Sequence, residues 1–150
     1  MYITAVQHKT FDKNKNYEKL EFLGDAILNS GVSEQLFENK KYKNEGELSK
    51  KRAEIVSRKN LNLIGKRIIK ETSIKHKLGF LSENIYGNIL EALIAAIYLD
   101  KGYKQCKIFI DKNIIFTTRL NKKTIDYKSK ILEWCQKNGN TIEFKKLKQK

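Results

Sequence analysis

Residues 89–99 read Ile-Leu-Glu-Ala-Leu-Ile-Ala-Ala-Ile-Tyr-Leu, an apolar run interrupted by a single carboxylate, Glu91. A helix that is apolar on nearly every side belongs in a core. An ionised acid carried into that core without a partner costs several kcal/mol. An acid kept in such a place needs a reason. A second stretch, residues 16–28 (Asn-Tyr-Glu-Lys-Leu-Glu-Phe-Leu-Gly-Asp-Ala-Ile-Leu), has the same character. At about 100° per helical residue, Glu18, Glu21 and Asp25 lie within an arc of roughly 60°. Leu20, Phe22, Leu23, Ile27 and Leu28 flank that face with core material.

In the later segment Asn88 and Glu91 share a face at i, i+3, with Ala92 and Ala95 beside them. Small residues there let another helix approach closely. Packed together, the two helices bring up to five oxygen-bearing side chains toward one point. Hard cations such as Mg²⁺ prefer oxygen ligands, retained waters and substrate phosphates, so the pattern points to a divalent metal and phosphodiester chemistry. Two plainer readings stay open. Acids at i, i+3 and i+7 also make an ordinary solvated face, and a buried Lys or Arg would also satisfy Glu91.

The chain carries a net charge of +14, with 31 Lys and Arg against 17 Asp and Glu. Lysines gain affinity for phosphates by releasing counterions, and a pI of about 9.7 fits a nucleic-acid binder. Part of that charge is a compositional bias, since 27 Lys, 13 Asn and 18 Ile accompany no Pro and only four Arg. No run reaches the roughly 18 apolar residues of a membrane span, and the start of the chain lacks a signal-peptide pattern. Cys106 and Cys135 have no metal-type spacing and suggest reduced thiols, hence a cytoplasmic location. His8 and His76 neighbour no nucleophile motif, so zinc chemistry and Ser-His catalysis are poorly supplied. Nothing calls for a small-molecule cofactor or a membrane partner.

The periodicity predicts an all-α domain. One helix covers about residues 17–38, with Gly24 and Gly31 inside it where another backbone packs closely. A polar turn follows at 40–44, then helix over 45–69 broken near Lys59, and a loop or short helix over 73–82 ending near Gly79. The acidic helix spans 84–99, is stopped by Asp100-Lys-Gly102, and is followed by an amphipathic helix over 103–118. Residues 121–125 read as a linker. Residues 126–137 read as a helix closed by Gly139, and 141–147 alternate like a strand.

These residues resemble the ribonuclease III family. Asn16 through Asp25 is similar to its helical signature, and 90–100 (Leu-Glu-Ala-Leu-Ile-Ala-Ala-Ile-Tyr-Leu-Asp) to its other acidic helix. Residues 44–57, with Glu45 and Gly46 in register, resemble the intervening helix, and His8-Lys-Thr10 an early element. The resemblance covers residues 1–120 and implies a ribonuclease III-type helical endonuclease domain. Residues 126–150 resemble the first helix and strand of a double-stranded-RNA-binding domain, a partial one forming a short α+β remnant; a generic basic helix is the alternative.

The resemblance implies a Mg²⁺-dependent endoribonuclease, with Mn²⁺ as substitute, that cuts double-stranded RNA to 5′-phosphate and 3′-hydroxyl ends. It implies a homodimer acting in rRNA and mRNA precursor processing. Glu21, Asn88 and Glu91 would hold the metal. Asp25 and Glu91 would orient or deprotonate the attacking water, Glu18 would line the site, and Glu45 would enter from the partner subunit. An acid at a helix start also has a plain dipole explanation. Phe22 matches an aromatic that plugs a pocket across the dimer interface, although a core Phe would look the same in sequence. The family pattern usually has Asp where this chain has Asn88, and an amide brings no charge. That departure motivates the alternative, a catalytically inactive ribonuclease III-fold protein that binds RNA or the ribosome.

Overall fold

The computed structural model describes residues 1–118, 131–132 and 134–142. Two units are distinguished, Met1–Thr118 and Arg119–Lys150. The first holds five helices: α1 (Tyr2–Ala5), α2 (Glu18–Phe37), α3 (Glu45–Ile55), α4 (Arg58–Ile68) and α5 (Asn84–Ile110). A 3-10 turn lies at Glu71–Ser73, and a π-helical turn at Asp111–Ile115 follows α5. Strand structure among the described residues amounts to one bridge between Gln7 and Lys75. The domain is all-α, as its periodicity predicts.

Helix α5 is the axis of the domain because residues 89–99 within it carry a single charged side chain. Ile85, Tyr86, Ile89, Leu90, Ala92, Ile94, Ala95 and Ala96 are all buried, and α1, α2 and α4 pack around them. Each Å² of apolar surface buried here stabilises the domain by about 25 cal/mol. The backbone departs from helix at Gly102 (φ 76°, ψ 174°), which divides α5 where the sequence places a stop. The second half of α5 and the π turn return Cys106, Ile110, Ile114 and Ile115 to the same core.

Two glycines set how closely the helices approach. A β-carbon built on Gly24 of α2 would stand 1.8 Å from the backbone carbonyl oxygen of Glu91, far inside van der Waals contact. One built on Gly65 of α4 would meet the Tyr86 carbonyl oxygen at 2.3 Å. Both neighbours therefore touch α5 backbone to backbone, and both contacts fall on its acid-bearing half.

The run at 45–69 is two helices, because Ser57 starts a new one. Its hydroxyl accepts the Asn60 amide at 3.4 Å and donates to the Glu54 carbonyl at 2.9 Å. The break lies at Val56–Ser57, slightly earlier than Lys59. The start of α3 is capped from both directions: Asn44 Oδ1 accepts the Glu47 amide, and Glu47 accepts the Lys43 amide, each at 2.9 Å. Such a box stabilises a helix start by about 1 kcal/mol. The His8-Lys-Thr10 element closes the N-terminal side. His8 is buried, its amide donates to Lys75, its Nδ1 meets Thr10 Oγ1 at 2.8 Å, and Thr10 accepts the Lys77 amide.

In the second unit, residues 131, 132 and 134–137 are helical. The helix closes at Gly139 (φ 67°), where the Asn140 amide reaches back to the Cys135 carbonyl at 2.8 Å. The proposed linker at 121–125 and most of the strand at 141–147 lie outside the described residues.

The Gly24 contact carries a first prediction. Gly24→Ala should destabilise the protein by about 2 kcal/mol or more, because neither backbone can give way without moving a helix. Urea unfolding measures it, with Gly79→Ala, where a β-carbon meets nothing within 4 Å, as the neutral reference.

Candidate functional site

The contact at Gly24 places Glu21, three residues before it on α2, and Asp25, the residue after it, against the turn of α5 that carries Glu91. The result is an open pocket of about 470 Å³ lined by Glu18, Glu21, Phe22, Asp25, Arg58 and Glu91. An adjoining cavity of about 230 Å³ shares Asp25, Arg58 and Glu91 and adds Asn88, Asn62 and Gly87. The four acids of the two stretches thus border one pocket, with Asn88 in the next.

Their environments differ. Glu21 and Glu91 are half-buried, while Glu18 and Asp25 are exposed. Glu18 is ion-paired with Lys9 at 3.0 Å, and Asp25 accepts the Asn29 side-chain amide at 2.9 Å. Burial pushes the Glu91 carboxyl up to about 7, reinforced by the negative charges of Asp25 and Glu21 and opposed by Arg58. Burial likewise raises Glu21; Arg58 opposes that shift, and Glu18 and Asp25 add to it. These are the signs of a pocket short of positive charge.

Among the described residues no three His, Cys, Asp or Glu side chains are grouped so that they could hold a metal ion. The acids border the pocket rather than meeting at a point. The donor set still fits a hard cation: all ligands are oxygens, two are half-buried carboxylates, and the open side leaves room for water and phosphate. Mg²⁺ characteristically takes one or two protein carboxylates and completes its shell with these. Glu21 and Glu91 are the residues that could hold it.

One predicted residue, Glu45, stands elsewhere. Glu45 begins α3 and accepts the Ser49 hydroxyl at 2.7 Å. It lines a separate groove of about 520 Å³ with Ser30, Glu34, Phe37 and Arg52, so within one chain it does not reach Glu91. Phe22 is 82% exposed at the edge of the acidic pocket, which rules out a core role; Phe37 is 83% exposed.

The residue missed in the sequence is Arg58. It lines both cavities, and its guanidinium donates to Asn88 Oδ1 at 3.4 Å. Asn88 also shares a hydrogen bond with the Tyr17 hydroxyl. Arg58 is the first residue of α4, directly after the capping Ser57, a start that the periodic pattern does not mark.

A family model described as ribonuclease-III-like matches residues 1–118, the whole of the first unit. This chain belongs to the ribonuclease III family. It is 43% identical over 135 residues to Ribonuclease 3 of Flavobacterium psychrophilum, covering 86% of this chain and 55% of that protein. It is 44% identical over 138 residues to Ribonuclease 3 of Zunongwangia profunda, with 86% and 56% covered. The chain thus spans little more than half the length of these relatives. The crystallised nuclease domain of ribonuclease III from Campylobacter jejuni superimposes with a TM-score of 0.70 at 36% identity, over 75% of this chain and 81% of that one. The all-α endonuclease fold expected of the family is the fold observed.

The raised Glu91 carboxyl yields a second prediction. Folding holds its proton up to about pH 7, whereas the unfolded chain releases it near the ordinary glutamate value of about 4.3. The unfolded state binds fewer protons across that window, so the metal-free protein loses stability as pH rises through it. Glu91→Gln mimics the protonated form. In EDTA it should match the parent near pH 4 and be more stable above pH 7, as urea unfolding across pH would show. Added Mg²⁺ should narrow the gap by stabilising only the parent.

Proposed function

We propose that this chain supplies the catalytic domain of a Mg²⁺-dependent endoribonuclease that cuts double-stranded RNA, leaving 5′-phosphate and 3′-hydroxyl ends. The observation that carries the reading is the Gly24–Glu91 contact, which sets the carboxylates of two helices around one pocket in a ribonuclease III-family domain. A net charge of +14 around an acidic pocket suits a polyanion held by the surroundings and cut at the acids.

Glu21 and Glu91 hold the metal in this reading. Bound Mg²⁺, or Mn²⁺ in its place, supplies positive charge against the phosphate oxygens and makes water a stronger acid. Asp25, exposed at the mouth of the pocket, orients the attacking water and takes its proton together with Glu91. Glu18, tied to Lys9, borders the entrance. Asn88 offers a third oxygen, which also accepts a weak hydrogen bond from Arg58. The protein works as a homodimer, for which the exposed Phe22 and Phe37 provide apolar contact surface, and Glu45 completes the site of the partner. Precursors of rRNA and mRNA are the fitting substrates, and the cytoplasm the fitting compartment; no described helix is long and apolar enough to cross a membrane.

Asn88 favours one second reading. Its oxygen accepts a hydrogen bond from a cation and brings no negative charge, as expected of a ribonuclease III-fold protein that binds RNA or the ribosome without cutting.

Incubation with a long RNA duplex decides between them. Cleavage with Mg²⁺ that EDTA abolishes supports the nuclease, and binding without cleavage supports the alternative. Glu91→Ala should lower the cleavage rate at least about a hundredfold while duplex affinity stays within a few-fold. A variant that still cuts at a comparable rate would make Glu91 a structural acid.

A further inference from the structure

Arg58 sits where three cavities meet. Besides the two at the acids it lines a groove of about 560 Å³ with Lys59, Asn62, Leu63, Lys66, Glu83 and Asn84. One side of the guanidinium therefore faces carboxylates and the other a groove in which three bases meet one acid. That acid is engaged, since Glu83 pairs with Lys66 at 3.4 Å.

Arg58 is exposed. Its only described hydrogen bond is the one to Asn88, at 3.4 Å long and weak. Among the described residues no carboxylate lies within ion-pair distance of it, although Glu21 and Glu91 feel its charge. A guanidinium has five N–H donors in a rigid fork. This one is aimed by a neutral amide and otherwise uncommitted, at the rim of a pocket built for phosphodiester chemistry. Had Asn88 been an acid, a charge-assisted pair would have closed the fork.

We propose that Arg58 is a substrate-contacting residue, gripping a phosphate of the bound RNA strand beside the one being cut, and that Asn88 is its positioning residue. The proposal rests on the ribonuclease reading of the acidic pocket and extends the binding surface along α4 into the Lys59–Lys66 groove. Arginine suits the task because its planar fork takes two phosphate oxygens at once, which a lysine ammonium cannot. The neutrality of Asn88 follows from the same requirement: its oxygen orients the fork weakly enough to release it to phosphate.

Binding of a long RNA duplex, measured in EDTA so that nothing is cut, tests this on the full chain. Arg58→Met should weaken binding about tenfold and make the slope of log K against log salt shallower by about one phosphate contact. Arg58→Lys should restore the slope but not the affinity. Asn88→Ala should lose part of the affinity in the parent background and nothing further in Arg58→Met. Asn88→Asp should weaken binding by capturing the fork. With Mg²⁺ present, Arg58→Met should raise KM more than it lowers kcat. Thermal unfolding confirms that each variant is folded.

Parental affinity and salt slope in Arg58→Met would overturn the proposal, as would a loss confined to kcat. An Asn88→Asp protein that binds RNA like the parent but needs less Mg²⁺ would make Asn88 a metal ligand and overturn its positioning role. Failure of the parent to cut RNA would sink the nuclease reading and leave the EDTA binding comparison to judge Arg58 by itself.

Discussion

The backbone contact between Gly24 and Glu91 is the constraint from which the rest of the site follows. With any other residue at position 24, a β-carbon would occupy the space of the Glu91 carbonyl, and the helices would separate by the thickness of a side chain. Glu21 and Asp25 flank that glycine by three residues and one, so their distance from Glu91 is set by the packing of two main chains. A site built this way stands on rigid elements, and its geometry changes only if the core does.

The same contact creates an electrostatic debt within a strongly basic molecule. Burial of Glu91 and the proximity of Asp25 and Glu21 hold its carboxyl near neutrality, although the surroundings carry many lysines. Those lysines are mostly exposed, where water and salt screen them. Screened charge attracts a distant polyanion but compensates a half-buried carboxylate poorly. Compensation has to come from inside the pocket, where Arg58 supplies part of it and where, on the proposed nuclease reading, a divalent cation would supply the rest.

Much of this architecture was legible in the sequence, for physical reasons. The all-round apolar pattern of residues 89–99 points to an interior helix, and the carboxylate within it marks where the acidic pocket lies. Gly24 and Gly31, read as places of close approach, do meet other elements: the Glu91 backbone at the first and the Ile110 side chain, 3.0 Å from a built β-carbon, at the second. The break at Gly102 was likewise visible, because a positive φ suits glycine. Other features were hidden. The start of α4 depends on Ser57 hydrogen bonds that leave no mark in a periodic pattern. Phe22 reads equally as core or surface on a helix with apolar residues around most of its circumference. Arg58 was hidden most deeply, since it reaches the acids only through the packing of α4 against α5 at Gly65 and Tyr86, a contact between segments about twenty residues apart.

Asn88 shows how a neutral residue can fit a charged site better than an acid. Another carboxylate beside Glu91 and Asp25 would add repulsion to a pocket whose half-buried acid already resists ionisation. It would also convert the weak Asn88–Arg58 hydrogen bond into a strong ion pair, drawing the one nearby guanidinium out of reach of substrate. The amide avoids both effects and still offers an oxygen. It also shares a hydrogen bond with the buried Tyr17, which holds the side chain at the junction of α2 and α5. Position 88 thus adjusts the balance between holding a cation and presenting Arg58 to phosphate, and the neutral residue shifts that balance toward the phosphate.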